Sequence, residues 1–245
     1  MYIGYIMDDK RAVVLISGGL DSPTVLAYAL DHGYKVFPLS FEYGQRHIRE
    51  IQSSEKICSY YGLELKKINI NLRQIGGSAL TDNIQVPERG INSIDSSVPV
   101  TYVPARNTIF ISLAAAYGEV IMAGTIFIGA NAIDYSGYPD CRPEFYNSME
   151  KTLNIGTEYG IENGFKINVP LQYLTKGDIV KLGRKLGVPY GLTWSCYNGR
   201  EKACGKCDSC ILRLKGFMEA GDFDDIEYEE YPDFYLQYLK SHGKL

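Results

Sequence analysis

Two clusters in the chain combine residue types and spacings that do chemistry. The first is Ser17-Gly18-Gly19-Leu20-Asp21-Ser22, set between the apolar run 12–16 and a helical pattern that starts near Pro23. Glycines let backbone amides close on an anion, and the free amides and positive dipole end of a helix attract it. Ser17 and Ser22 add hydroxyl donors, Asp21 can shape the turn or help hold a magnesium ion, and Pro23 suits a first helical turn. The segment lacks the lysine of G-x-x-x-x-G-K-[ST] and does not fit G-x-G-x-x-G. It reads as a phosphate loop of another kind, the plain alternative being an ordinary glycine-rich strand-to-helix turn.

The second cluster is Cys196-x7-Cys204-x2-Cys207-x2-Cys210, four of the six cysteines. Tight C-x2-C turns let sulfurs converge on one ion, and four soft ligands complete a tetrahedral zinc shell. A closed shell leaves no open position, so such a zinc is structural and staples a loop with little core of its own. An iron–sulfur cluster is the competing metal reading, but no proline-flanked cysteine follows and the fourth ligand lies upstream. Cys58 lies on a helical pattern and reads as a small buried apolar residue. Cys141 would need a partner base to act as a nucleophile, and His32, His47 and His242 are not paired with it in sequence.

Apolar runs alternate with helical periods and position these clusters. Strands are expected at 12–16, 35–41, 64–70, 125–129 and 166–169, and helices at 23–31, 45–61, 106–123, 143–159 and 175–186. That rhythm implies βαβ units and a mainly parallel sheet covered on both faces. Gly33, Gly62, Gly124 and Gly187 follow the expected helices as C-terminal caps, and Thr175 with Asp178 makes a capping box. Three stretches fall outside the rhythm: 72–103, 132–142 and 194–210. A connection as long as the first is expected to be a lid or binding loop. The first two lie beyond strand carboxyl ends, where open α/β sheets collect ligands.

The 245 residues suffice for one domain with an appendage, and a formal charge of −4 speaks against a broad nucleic-acid surface. No apolar run reaches membrane-spanning length and the first residues lack a signal-peptide layout, so no membrane partner and a cytoplasmic location are expected.

The hexapeptide Ser17 to Ser22 resembles the S-G-G-x-D-S signature of the PP-loop ATP pyrophosphatases. Three further segments narrow the resemblance: Val103-Pro104-Ala105-Arg106-Asn107, Asp134-Tyr135-Ser136-Gly137-Tyr138-Pro139-Asp140-Cys141-Arg142, and Thr193-Trp194-Ser195-Cys196-Tyr197. With the loop and the cysteines in order, the chain looks like the 7-cyano-7-deazaguanine synthase family. The resemblance implies an α/β, Rossmann-like fold with a parallel sheet and helices on both faces, plus a small C-terminal zinc-binding subdomain. It divides the chain into an ATP-binding part, 1–190, and a zinc-binding segment with its tail, 191–245, packed as one domain. It implies a homodimer without nucleic acid, one structural Zn2+ on Cys196, Cys204, Cys207 and Cys210, and ATP with Mg2+ as co-substrate. The implied reaction joins 7-carboxy-7-deazaguanine and ammonia into the nitrile through adenylated carboxylate and amide.

The same resemblance assigns ATP to Leu15, Ile16, Ser17, Gly18, Gly19, Leu20, Asp21, Ser22, Pro23, Thr24 and Val25. Asp21, Ser22 and Arg106 are the expected catalytic residues, Arg106 because its planar fork of donors suits phosphate or carboxylate. Asp134 or Asp140 would accept hydrogen bonds from the guanine-like edge, Tyr135 or Tyr138 would stack on the base, and Arg142 would meet the carboxylate. Gln45 and Arg46, after the second strand, are expected near adenine and ribose. Lys176 is read either as a phosphate contact or as solvated. Pro23 stands where family loops often carry Thr, and the acidic tail 222–245 lies beyond the motifs, as a short helix or an arm. A PP-loop tRNA thiolase, another amide-forming ligase and a non-enzymatic zinc module for nucleic acid or protein remain the alternatives.

Overall fold

A computed structural model of the chain describes residues 10–45, 48–84, 98–131 and 138–244. Five strands form one parallel sheet: β1 (Arg11–Leu15), β2 (Lys35–Glu42), β3 (Lys66–Asn69), β4 (Thr125–Phe127) and β5 (Lys166–Asn168), in the order β3-β2-β1-β4-β5. β1 runs in register with β2 from Arg11 against Lys35 to Leu15 against Leu39, and with β4 from Ala12 against Thr125. Strands buried on both faces need apolar residues at every position, which is why the run after Arg11 does not alternate.

Successive β1 side chains feed two cores. Val13 and Leu15 face a layer with Ile111 and Ala115 of α3 (Arg106–Ile121) and Tyr146 and Leu153 of α4 (Pro143–Gly156). Ala12, Val14 and Ile16 face the opposite layer. There they meet α1 (Asp21–Asp31), α2 (Arg49–Tyr60), α6 (Lys176–Lys185) and Phe217 of α7 (Asp208–Ala220). All five expected strands are present, and α1, α2, α3 and α6 fall where their periods place them.

The helix expected at 143–159 divides instead into α4 and α5 (Glu158–Glu162), because Thr157 takes an extended backbone and its hydroxyl accepts from the Gly160 amide as an N-cap. At the end of α3 the left-handed residue is Met122, at φ 56°, not the expected Gly124. The Thr175–Asp178 capping box is formed. α7 has no counterpart among the expected helices; it begins inside the cysteine segment and packs along α6.

Around the cysteines a third core gathers Trp194, Leu214, Tyr228, Tyr235 and Leu239. The tail packs on the body as a cover that includes a short helix. Tyr228 bridges to Ala203, and α8 (Asp233–Ser241) buries Tyr235 and Leu239. Arg184 of α6 holds the tail through Asp222 at 2.5 Å and Asp225 at 2.7 Å. Among the described residues no helix is long and apolar enough to cross a membrane.

Candidate active site

Strand order reverses between β1 and β4, and the loop from Ile16 to Leu20 leaves β1 at that point. Gly18 sits at φ 77°, and a Cβ there would lie 2.3 Å from the Glu50 carbonyl oxygen and 2.8 Å from the Ser54 nitrogen. Only glycine lets the loop press against the start of α2. From the other side, the Trp194 amide donates to the Gly18 carbonyl at 2.8 Å. Within the loop, the Ser22 hydroxyl accepts from the Ser17 amide at 3.0 Å and stands 3.2 Å from the Ser17 hydroxyl. A Cβ on Gly19 would meet nothing closer than 3.6 Å, so the loop is tight at Gly18 and open at Gly19. Gly129, just past β4, lies close behind Ser22, where a Cβ would come within 3.1 Å of its backbone.

Two adjoining cavities flank this loop. The larger, about 260 Å3, has Leu15, Ile16, Ser17, Asp21 and Ser22 on one side and Phe41, Tyr43, Arg106, Asn107 and Tyr138 on the other. The smaller, about 160 Å3, continues past Gly19, Leu20 and Asp21 to Lys176, Ser195 and Arg213. Lys176, the first residue of α6, places its ammonium 2.9 Å from both Asp21 oxygens. It belongs to the site and is not solvated: its aliphatic stem packs on Gly216 of α7, where a Cβ would fall 2.4 Å from Cγ.

Arg106 opens α3 in the wall of the larger cavity. Burial works against its charge, but Tyr43, Tyr138, Asp140 and Cys141 around it hold the guanidinium firmly protonated. Burial, with Glu50 nearby, pushes the Tyr43 hydroxyl up to about 12 while Arg106 pulls it back. Glu50, in the first turn of α2, lines both cavities; burial lifts its carboxyl to about 7 against the pull of Arg106. Tyr138 lines the larger cavity and pairs its hydroxyl with that of Thr101 at 2.8 Å. Gln45 also lines it, its side chain folding back to accept from the Tyr43 amide at 2.8 Å. Leu80, from the long 72–103 connection, completes part of the wall.

Other expected site residues stand elsewhere. Thr24 is buried behind the loop, bonded to the Leu20 carbonyl and the Tyr190 hydroxyl, and Pro23 and Val25 are turned into the α1 core; none of the three lines either cavity. Asp140 is buried beneath the cavity rather than in its wall, because one oxygen caps α3 by accepting from the Asn107 amide at 3.1 Å. Arg142 is exposed at the N-cap of α4, outside the cavity wall. Cys141 does line the cavity, but burial, reinforced by Asp140, pushes its thiol up to about 11, which disfavours a thiolate nucleophile. Arg46, Asp134 and Tyr135 lie outside the described residues. Glu50 and the anchoring role of Trp194 were not apparent from sequence; only the position of Glu50 behind β2 hints at the site.

The four cysteines of the second cluster are buried with all sulfurs within 4.8 Å of one another. Cys207 and Cys210 are 3.5 Å apart and Cys204 and Cys210 3.9 Å, matching the roughly 3.8 Å edge of a tetrahedron with metal–sulfur bonds near 2.3 Å. Amides of Asn198 and Cys204 point at the Cys196 sulfur, and those of Lys206 and Cys207 at the Cys204 sulfur. Such donors stabilise thiolates, so the donor set fits a metal ion. The Trp194 indole donates to the Cys196 carbonyl at 2.9 Å, and its ring lies 4.8 Å from the Arg49 guanidinium. Trp194 therefore joins the cysteine site to both the phosphate loop and α2.

A glycine loop at the switch point of a parallel sheet, opening on a cavity walled by a half-buried arginine, has the form of a nucleotide-using α/β enzyme. A family model described as queuosine biosynthesis protein QueC matches residues 11–221. The chain is 75% identical over 231 residues to a 7-cyano-7-deazaguanine synthase of Picrophilus torridus, covering 94% of this chain and 97% of that one. It is 65% identical over 238 residues to the synthase of Thermoplasma acidophilum, covering 97% and 100%. The chain belongs to the QueC family of 7-cyano-7-deazaguanine synthases. Among solved structures, the NMN synthetase of Francisella tularensis aligns over 96% of this chain and 87% of its own, at 17% identity and a TM-score of 0.47.

Proposed function

We propose that this protein is an ATP-dependent ligase that converts 7-carboxy-7-deazaguanine and ammonia into 7-cyano-7-deazaguanine. The observation that carries the reading is that the phosphate loop and Arg106 face one cavity, so a nucleotide phosphate and a carboxylate can meet there. A carboxylate is a poor electrophile because its charge is delocalised and oxide leaves badly. Transfer of AMP to it makes a leaving group; ammonia then displaces AMP to give the amide, and a second adenylation on the amide oxygen allows loss of AMP to the nitrile. A loop gripping the distal phosphates favours pyrophosphate as the departing group.

In this reading Ser17, Gly18, Gly19 and Ser22 hold phosphate, and Lys176 adds a charge beside them. Asp21 is the carboxylate at hand for a Mg2+ ion carried on the phosphates. Arg106 holds the substrate carboxylate, or the phosphate that replaces its charge, and Tyr138 offers a flat face for the base. Residues 1–190 bind the nucleotide, and 191–245 form a cover held by Zn2+ on the four cysteines. A closed thiolate shell gives that ion a structural role, fixing Trp194 against Gly18. Two copies of the chain form the working unit, in the cytoplasm.

The deciding experiment incubates the protein with the carboxylic acid, ATP, Mg2+ and ammonium and follows products by mass spectrometry. Nitrile with AMP and pyrophosphate is expected; unchanged acid excludes this substrate, and ADP with phosphate excludes adenylation. Metal analysis should return one zinc per chain, and iron with sulfide would refute the zinc assignment.

A further inference from the structure

The proposed reaction removes three protons from one nitrogen, as NH3 becomes CONH2, then an O-adenylated imidate and finally C≡N. A base beside the reacting carbon would serve each step, and its identity is not given by the phosphate loop. Among the described residues only two carboxylates, Asp21 and Glu50, line the paired cavities, and no histidine does. Asp21 commits both oxygens to Lys176. The Glu50 carboxylate has no ion pair or hydrogen bond with the described residues, and it stands where the two cavities join, near enough to Arg106 to feel its charge.

Its place is fixed by the loop that positions the phosphates. The Glu50 carbonyl is the atom against which Gly18 packs, so the first turn of α2 and the phosphate loop cannot shift independently. We propose that Glu50 is a catalytic base that takes protons from the nitrogen during amide and nitrile formation. The proposal rests on the synthase reading above. In the first round the ammonia lone pair forms the C–N bond, the C–O bond breaks with its electrons going to AMP, and one N–H proton passes to Glu50. In the second the amide oxygen bonds the α phosphorus, pyrophosphate leaves with its bonding pair, and a second proton leaves the nitrogen. The last N–H pair then becomes the third C–N bond as AMP departs, and the third proton goes to the base. Between steps Glu50 returns each proton to solvent through the cavity mouth.

The charged and titratable groups that line the paired cavities with it are Arg106 from α3, Tyr43 after β2, Tyr138, Cys141, the Asp21–Lys176 pair from α1 and α6, Tyr197, and Arg213 from α7. Arg213 is matched by Asp224 and Lys176 by Asp21, which leaves Arg106 as the charge that tunes Glu50. A carboxyl that titrates near neutrality both accepts and releases protons under working conditions, which is what a base used three times requires.

Glu50→Gln keeps the shape and removes the proton acceptor. Two assays separate the steps: acid-dependent exchange of labelled pyrophosphate into ATP without ammonia reads adenylation, and single-turnover nitrile yield reads the nitrogen chemistry. The expected result is exchange retained and nitrile formation reduced about 10²-fold or more, with loss of the rate increase between pH 6 and pH 8 that the unsubstituted enzyme should show, at roughly the scale of general-base contributions. A cooperative melting transition no lower than that of the unsubstituted protein, with unchanged ATP affinity, would confirm that the variant is folded. Exchange falling in step with nitrile formation would overturn the proposal in favour of a nucleotide-holding role, and an undiminished nitrile rate would overturn it outright. Absence of exchange in the unsubstituted enzyme would overturn the synthase reading itself, and the proposal with it.

Discussion

Replacing Asp224 by alanine should unfold the protein far more readily than an ordinary surface change. The Arg213 and Asp224 side chains are 2% and 1% exposed and joined by two hydrogen bonds, at 2.6 and 2.8 Å. The same guanidinium reaches the Thr193 hydroxyl at 2.7 Å, the Ser195 hydroxyl at 3.2 Å and the Tyr190 carbonyl at 3.2 Å. Asp224 also accepts from the Tyr228 hydroxyl at 2.6 Å. Removing the carboxylate leaves a buried cation without a counterion, which costs about 3–5 kcal/mol, and strands the tyrosine hydroxyl as well. For a chain of this size that corresponds to a fall in Tm of about 6–20 °C. Urea unfolding at constant zinc concentration measures it, provided the slope is unchanged. Arg213→Met with Asp224→Leu removes both charges and should recover most of the loss, giving a large coupling energy in the double-mutant cycle. Because Arg213 braces Thr193 and Ser195, beside the residue that anchors Gly18, D224A should also weaken ATP binding. A loss below about 1 kcal/mol, or a double variant no more stable than the single one, would refute the reasoning.

Three further outcomes follow from other sites. Gly18→Ala must adopt φ 77° and drive a Cβ to within 2.3 Å of a backbone oxygen. It should cost about 1–2 kcal/mol of conformational strain plus 1–3 kcal/mol of overpacking, with ATP affinity by calorimetry falling sharply. Cys141→Ser should keep the rate within a few-fold, and Cys141 should resist iodoacetamide in the native protein, since a thiol pushed to about 11 is almost wholly protonated at neutral pH. The Glu50 carboxyl is raised from 4.5 to about 7 on folding, so its protonated form favours the folded state. That contribution is fully present below pH 4.5 and is lost as pH rises through about 7, with a ceiling of about 3 kcal/mol that contact with water reduces. Urea stability of E50Q should therefore match the unsubstituted protein in acid and exceed it above pH 7; a pH-independent difference would contradict the burial argument.

The strands were legible because a parallel sheet demands mainly apolar runs: 12–16 is apolar throughout, and 35–41 is interrupted only by Lys35 at its start and Ser40. The strand–glycine turn–helix geometry at 11–31 was legible because it is local: strand, glycines, hydroxyls and helix start are contiguous. α7 was obscured because residues 208–220 begin inside the metal motif, although Ile211, Leu214 and Phe217 carry a helical period. Thr157 shows why one expected helix became two: its capping chemistry was present in the sequence but outweighed by the surrounding period. Asp140 and Thr24 were expected at ligands and instead serve backbone and core, since nothing in a sequence says which side of a turn a polar atom faces. Lys176 meeting Asp21 and Trp194 meeting Gly18 depend on topology closing over more than 150 residues, which no local pattern encodes.

The hydrogen bond from Trp194 to Gly18 also orders events in time. During synthesis the loop and four of the five strands are made before residue 130, while the lysine beside Asp21 and the segment that braces Gly18 come some 45 to 65 residues later. Contacts of such sequence separation form late, after the amino-terminal units have collapsed. A nascent or prematurely ended chain that stops before residue 176 carries the phosphate signature but neither its lysine nor its brace. Competence to spend ATP is thereby deferred until the carboxy-terminal cover has emerged and closed.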